Sequence, residues 1–284
     1  MAFSAYYLVL VVLVYAYLRD YVRLRRSIAS LATLLVATAP LVFRHGTIAY
    51  ANLILSFYLL AAVLLLSGWF ESGRTRSLNG WLLASGLAFA SAAWTRPEGL
   101  VLAWSGMLLV VCIGYIKCKP RATWRNLAWL FSPLLLYTVF WYVLQASIYA
   151  RLVSKSALAG VAFQQILSGN LHFSQALYVI QSILGALFDL RIWGFLGIGL
   201  VLVMIACAVP GAWRVASICL VGCGLLYLAA TVAIYYLASY DSVHDIRWWV
   251  NTGLDRMLMP ALLLLWVGGF SRLKVFIVPR DNNS

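Results

Sequence analysis

Polar side chains with chemical potential are sparse in this chain, and most of them fall in four short clusters. The first is Arg44-His45-Gly46-Thr47 followed by Tyr50-Ala51-Asn52. Arg44 and His45 offer donors to an anionic group; the alternative is a capped turn with Asn52 packed between helices. The second is Trp94-Thr95-Arg96-Pro97-Glu98-Gly99. An arginine fork at the rim of a helical bundle suits a phosphate, because it offers planar bidentate donors that stay charged. The same residues also suit a hairpin, in which Pro97 breaks the helix, Gly99 permits a tight turn and Arg96 pairs with Glu98.

The third cluster runs from Tyr240 to Trp249 and holds Asp241, His244 and Asp245. At i, i+3 and i+4 these three share one helical face, a geometry open to a divalent metal ion. A solvated loop anchored by Trp248 and Trp249 is the other reading. The fourth cluster, Asn251-Thr252-Gly253-Leu254-Asp255-Arg256, leads into a further apolar run. Asn251 or Thr252 suits a helix cap and Asp255 the positive helix amino terminus, whereas Arg256 has no such role.

These clusters need a scaffold, and composition names its solvent. The 284 residues are 64% hydrophobic and 10% charged, with a mean hydropathy of +0.92. Soluble domains are roughly half apolar and a quarter charged, and no water-soluble core absorbs so much apolar surface. The net charge of +13 comes from 21 Lys and Arg against 8 Asp and Glu. Its positive residues stand between apolar runs, which points to membrane topology and anionic headgroups and away from nucleic acid. Twelve Trp and 16 Tyr fit aromatic belts at the membrane boundary. The five Cys form no CxxC pair and read as buried small hydrophobes.

A spanning helix needs about 20 mostly apolar residues. Nine runs qualify as candidates, near 4–18, 28–43, 47–69, 80–95, 99–116, 127–150, 192–210, 215–239 and 257–271. The expected fold is an all-α polytopic bundle of about nine transmembrane helices, eight to ten, forming one domain over 1–284. Residues 151–190 mix Gln164, Gln165, Asn170, His172 and Gln181 with apolar residues, as expected of a segment lying along one interface. The small residues of 83–93 suit close helix packing.

Sorting basic residues by alternate connections gives fourteen (Arg19, Arg23, Arg25, Arg26, Arg74, Arg76, Lys117, Lys119, Arg121, Arg125, Arg214, Arg272, Lys274, Arg280) against seven (Arg44, Arg96, Arg151, Lys155, Arg191, Arg247, Arg256). The positive-inside rule assigns the larger set to the cytoplasm. The amino terminus and all four clusters are then expected outside.

Three stretches carry a family resemblance: Pro40 to Phe57 (PLVFRHGTIAYANLILSF), Ala93 to Leu102 (AWTRPEGLVL) and Trp249 to Leu262 (WVNTGLDRMLMPAL). With the helix order, they resemble the bacterial branch of the polytopic GT-C glycosyltransferases that use polyprenyl-phosphate sugars, related to protein mannosyltransferases and lipid A aminoarabinose transferases. The resemblance implies a helical bundle in the bacterial plasma membrane that moves a sugar from a lipid carrier to an extracytoplasmic glycan, lipid or protein. It implies carrier-phosphate contacts at Arg96 and Arg256, with Arg44 and His45 toward the acceptor. Cations there would stabilise the charge that develops on the leaving phosphate.

The chain departs from that pattern twice. Asn52 stands where an acidic residue is expected, and the family's first helix and acidic outer loop are absent ahead of residue 1, so a chain shortened at its amino end is expected. A catalytic carboxylate then falls to Glu98, Asp241 or Asp245. The competing expectations are a non-catalytic carrier-binding subunit and, further off, a transporter or flippase, for which paired repeats and broken midplane helices are not visible.

Overall fold

A computed structural model describes residues 2–48, 50–72, 79–118, 124–148, 164–165, 168, 172–208, 214–240 and 244–273. The regular elements among them are helical. They are α1 (Ala2–Ala16, continuing through a π-helical turn at Tyr17–Tyr21), α2 (Arg26–Ala37), α3 (Pro40–Thr47), α4 (Ala51–Ser72), α5 (Asn79–Thr95), α6 (Pro97–Cys118), α7 (Trp124–Ile148), α8 (Phe173–Leu187), α9 (Leu190–Trp193), α10 (Leu196–Ala208), α11 (Val215–Ala238) and α12 (Ile246–Phe270).

Helices occupy all nine expected places. Among the described residues, six are long and apolar enough to cross a bilayer: those of α1, α4, α6, α7, α11 and α12. A seventh is obtained if α2 and α3, bent by 63° at their junction, form one broken span. The bend follows from Pro40, which disfavours helix at Ala39 and leaves it extended (φ −60°, ψ 119°). At 17 and 13 residues, α5 and α10 fall short of the usual span length.

α12 is the core of the bundle. Every residue from Met257 to Phe270 is buried, as expected of a helix that is apolar all round and surrounded by others. Small residues bring α11 against it. A Cβ at Gly224 would lie 2.7 Å from Leu265 Cγ, and one at Gly268 would lie 2.9 Å from Leu220 Cβ. Ser217 Oγ adds a 2.7 Å hydrogen bond to the Gly268 carbonyl, and Trp266 Nε1 donates to the Ala32 carbonyl at 3.1 Å, tying α2 to the core.

α5 lies antiparallel along α4: Gly68 faces Trp81, Ser85 Oγ donates to the Ala62 carbonyl, and Arg96 reaches Asn52. The small-residue face of 83–93 packs as its composition predicts, with the Leu130 carbonyl of α7 pressed against Gly86. Two polar clusters mark the ends of the bundle. Asn52 opens α4 and Glu71 closes it, nineteen residues further on. At 1.5 Å per residue that is about 28 Å, close to the thickness of a bilayer's hydrocarbon core.

At the Glu71 end, Tyr21 Oη donates to Oε2 of Glu71 at 2.5 Å, and the Ala216 N–H of the first turn of α11 donates to Oε1 at 2.9 Å. Arg214 Nη1 donates to the Tyr21 carbonyl at 3.2 Å. A carboxylate at a helix amino terminus satisfies orphan N–H groups and complements the helix dipole, so Glu71 fastens α1, α4 and α11 together. Lys117, Arg125 and Arg272 sit at helix ends on this same side.

α8 runs across the bundle instead of along it. His172 at its start hydrogen-bonds Tyr236 and Ser239 at the end of α11, and Asp189 just beyond its other end acts electrostatically on Asp255 of α12. This is the arrangement expected for an interfacial segment, on the Asn52 side. Of the expected buried thiols, Cys219 and Cys223 are buried, Cys118 is half-buried and Cys112 is exposed on the apolar exterior of α6.

Candidate functional site

Four separate stretches of chain meet at the Asn52 end. The break between α5 and α6 is a single non-helical residue, Arg96. Pro97 is the first residue of α6, and a residue before proline avoids the helical region. Gly99 acts by close approach: a Cβ there would sit 2.5 Å from the Ala92 carbonyl oxygen, so only glycine lets α6 start so near α5. The tight turn expected of Gly99 needs no special backbone angle, since Gly194 is the one described glycine with positive φ.

This geometry aims Arg96 inward. Its Nη1 donates to Asn52 Oδ1 at 2.6 Å, while Nε and Nη2 donate to Glu98 Oε2 and Oε1 at 3.2 and 3.4 Å. The Arg96–Glu98 pair is the one ion pair among the described residues. Asn52 is buried, and its carbonyl accepts Ser56 Oγ at 2.6 Å. The hairpin pairing of Arg96 with Glu98 and the interhelical packing of Asn52 are thus both realised, and they join in one contact.

Arg44 and His45 end α3, one turn before α4 begins. Arg44 is exposed. His45 is buried, 1% exposed, and its Nδ1 has no hydrogen-bond partner. The imidazole packs on Tyr50, with centroids 4.7 Å apart and planes inclined by 31°. Arg256 reaches the same ring from α12, its Cζ lying 5.1 Å from the Tyr50 centroid. Nη2 of Arg256 donates to the Thr252 carbonyl one turn back. The charges acting on His45 are those of Arg256 and Arg44.

α12 starts eleven residues before the apolar run that announced it, at Ile246 and not near 257. Asn251 and Thr252 are therefore inside the helix and neither caps it; the residue at the N-cap position is Asp245. That N-cap residue is extended (φ −64°, ψ 151°) and its side chain makes no capping hydrogen bond. Ile246, Val250 and Leu254, all buried and spaced by four, form the stripe that holds this first part of α12 on the bundle. Asn251, Thr252, Asp255 and Arg256 interrupt the apolar run without interrupting the stripe. Pro260 has no N–H, so the Arg256 carbonyl lacks its usual intrahelical partner.

Tyrosines complete this end. A Cβ on Gly253 would lie 2.8 Å from Tyr235 Oη, so the α11 phenol is tucked against the α12 backbone. Arg256, Arg96, Asp255 and Glu98 all act electrostatically on Tyr235, which places the four charges around one side chain. Tyr50 stood in the sequence only as part of a turn. Tyr235 carried no signal at all, because its importance lies in a contact with a glycine on another helix.

The metal-geometry residues are less well gathered. His244 stacks on Trp248 with centroids 4.1 Å apart, Asp245 is exposed, and Asp241 lies outside the described residues. Among the described residues no three His, Cys, Asp or Glu side chains are grouped to hold a metal ion, so no metal-dependent step is derived. The Trp248–Trp249 anchor of the alternative reading is present as an edge-to-face pair, 5.0 Å between centroids.

No family model matches the chain, and searches of curated proteins and of solved structures find no match either. What fold and composition define is an integral, multi-pass helical membrane protein with six candidate spans, or seven with the bent pair.

Proposed function

We propose that this chain is a GT-C-like membrane glycosyltransferase, or part of one, that takes a sugar from a polyprenyl-phosphate carrier and passes it to an acceptor outside the cytoplasm. The observation that carries the reading is the convergence of Arg44, His45, Asn52, Arg96, Glu98 and Arg256 at one end of the bundle. They come from three segments more than forty residues apart, the same three that carry the family resemblance. Their end is opposite the one holding Arg19, Arg23, Arg25, Arg26, Lys117, Arg125, Arg214 and Arg272. By the positive-inside rule it faces outward, in the plasma membrane of a bacterial cell envelope.

In the proposed reaction an acceptor oxygen attacks the anomeric carbon, the bond from that carbon to the phosphate oxygen breaks, and the acceptor proton passes to a base. Arg256 stabilises the negative charge left on the carrier phosphate, since preorganised donors act most strongly where charge develops. Glu98, Asp241 and Asp245 are the carboxylates open to the role of base. Any divalent ion would be held on the Asp241, His244 and Asp245 side.

A second reading, a carrier-binding membrane subunit without catalysis, is favoured by one specific observation. Both oxygens of Glu98 accept from Arg96, and the partner across Arg96 is the amide Asn52 instead of a carboxylate. One experiment separates the two readings. The purified chain in nanodiscs is given a radiolabelled polyprenyl-phosphate sugar and an acceptor extract, and carrier binding and sugar transfer are followed separately. Carrier binding with slow transfer that Arg256→Ala abolishes supports the transferase, binding without transfer supports the subunit, and no binding overturns both.

A further inference from the structure

Tyr50 is half-buried and meets two nitrogen-bearing groups from different helices. Its ring packs against His45, at the end of α3, and lies under the Arg256 guanidinium of α12. Arg96, another basic group at this end, is occupied by Asn52 and Glu98. Arg256 differs: among the described residues its one hydrogen-bond acceptor is the Thr252 carbonyl, and it forms no ion pair. Among the described residues its Nε and Nη1 donors have no partner. His45 adds a ring nitrogen that is buried and unpartnered, a costly arrangement unless something is meant to meet it.

We infer that Tyr50 is a positioning residue that holds Arg256 and His45 together as the phosphate-binding half of this site, for a lipid phosphate monoester or diester, while Arg96 is a structural cation. This rests on the proposed function and alters it in two respects. His45 moves from the acceptor side to the phosphate side, and Arg96 leaves the set of phosphate contacts. A guanidinium lying on an aromatic face loses little freedom when an anion arrives, because the ring has already fixed its plane. A lysine ammonium is a point charge with no plane to fix, so the arrangement is specific to arginine.

The test uses the full chain in phosphatidylcholine nanodiscs, titrated separately with dioleoyl phosphatidic acid and with polyprenyl phosphate, and thermal unfolding is recorded for each variant. Arg256→Gln and Tyr50→Leu should each weaken phosphatidic acid binding roughly tenfold, and the double variant should lose little more than either single one, since both remove the same held guanidinium. Tyr50→Phe should bind within about twofold of the unmodified chain, as it keeps the ring, and Arg256→Lys should lose several-fold although it keeps the charge. Arg96→Gln, which empties the Asn52 and Glu98 contacts, should lower thermal stability while changing phosphate affinity less than Arg256→Gln does.

If Tyr50→Leu fails to fold, Tyr50→Phe and Arg256→Lys still decide the matter. Unweakened binding by Arg256→Lys, additive losses in the double variant, or no phosphate binding by the unmodified chain would each overturn the inference. Non-additive binding of phosphatidic acid with no binding of polyprenyl phosphate keeps the inference and removes the carrier-sugar reading. A tighter grip on polyprenyl phosphate, with the same non-additivity, supports both.

Discussion

Asn52 Oδ1 accepts a 2.6 Å hydrogen bond from Nη1 of Arg96, across 44 residues of chain and between the start of α4 and the end of α5. The same guanidinium is held by Glu98, so a single arginine joins three helices at the end of the bundle where the candidate site lies. Asn52 is 2% exposed, whereas the Arg96 side chain is 28% exposed, so the hydrogen bond lies at the boundary between the packed helices and the end of the bundle.

Replacing Asn52 with Leu should destabilise the protein by about 1 kcal/mol, because it removes a hydrogen bond to a partly buried guanidinium. Asn52→Asp should behave differently. A carboxylate at that place competes with Glu98 for Arg96 and releases Glu98, so stability should change less and sugar transfer, if the chain transfers sugar, should rise. Unfolding in a graded detergent mixture measures the first expectation and the nanodisc transfer assay the second. Equal behaviour of the Leu and Asp variants would show that the hydrogen bond matters little.

At the opposite end, Glu71→Gln should cost about 1 kcal/mol by removing the anionic partner of the first turn of α11. Tyr21→Phe should cost a comparable amount through the same carboxylate, and the double variant should lose less than the two losses combined. Additive losses in an unfolding titration would mean that Glu71 and Tyr21 act independently.

Gly86→Ala should loosen the contact of α5 with α7, since its Cβ would press on the Leu130 carbonyl. Overpacking of this kind costs typically about 1–3 kcal/mol. Gly80→Ala, in the same helix but with no described atom within 4 Å of its Cβ, is the control and should leave stability unchanged or slightly improved. Similar melting temperatures for the two variants would contradict the close packing of α5 on α7.

Membrane sidedness is checked with cysteine labelling or reporter fusions at Lys117 and at His244. Lys117 ends α6 on the Glu71 side, and His244 precedes α12 on the Asn52 side. The two sites should report opposite faces of the membrane, with Lys117 cytoplasmic. A report from the same face would undo both the bundle ends and the location of the site.

If Arg256 holds a carrier phosphate, Arg256→Ala should weaken polyprenyl-phosphate binding more than Arg125→Ala, which removes a positive charge at the other end of the bundle. Equal losses would reduce the effect to general surface charge. Transfer by the unmodified chain should be slow, because general-base help is worth about 10² to 10⁴ in rate and Glu98 is engaged with Arg96. Robust turnover would contradict that, and a further loss in Glu98→Gln or Asp245→Asn would then identify the base.

Composition and apolar runs by themselves determined that this is a helical membrane protein and where its helices lie, because a bilayer leaves a backbone few ways to satisfy its hydrogen bonds and imposes a length on each crossing. Pro97 announced the start of α6, since proline restricts its neighbour as well as itself, whereas the run 28–43, expected as one helix, bends at Pro40. The first eleven residues of α12 were illegible as helix. Their stripe of Ile246, Val250 and Leu254 is apolar on one face only, and it becomes a helix face once the rest of the bundle covers it. The break in the run 28–43 also belongs to the structure, which bends it by 63° between α2 and α3. The relation of Tyr50 to His45 and Arg256, and of Asn52 to Arg96, was likewise fixed only in three dimensions. Such contacts depend on the distance between helices, and that distance is set by glycines such as Gly86 and Gly99 whose neighbours lie on other helices or in earlier turns.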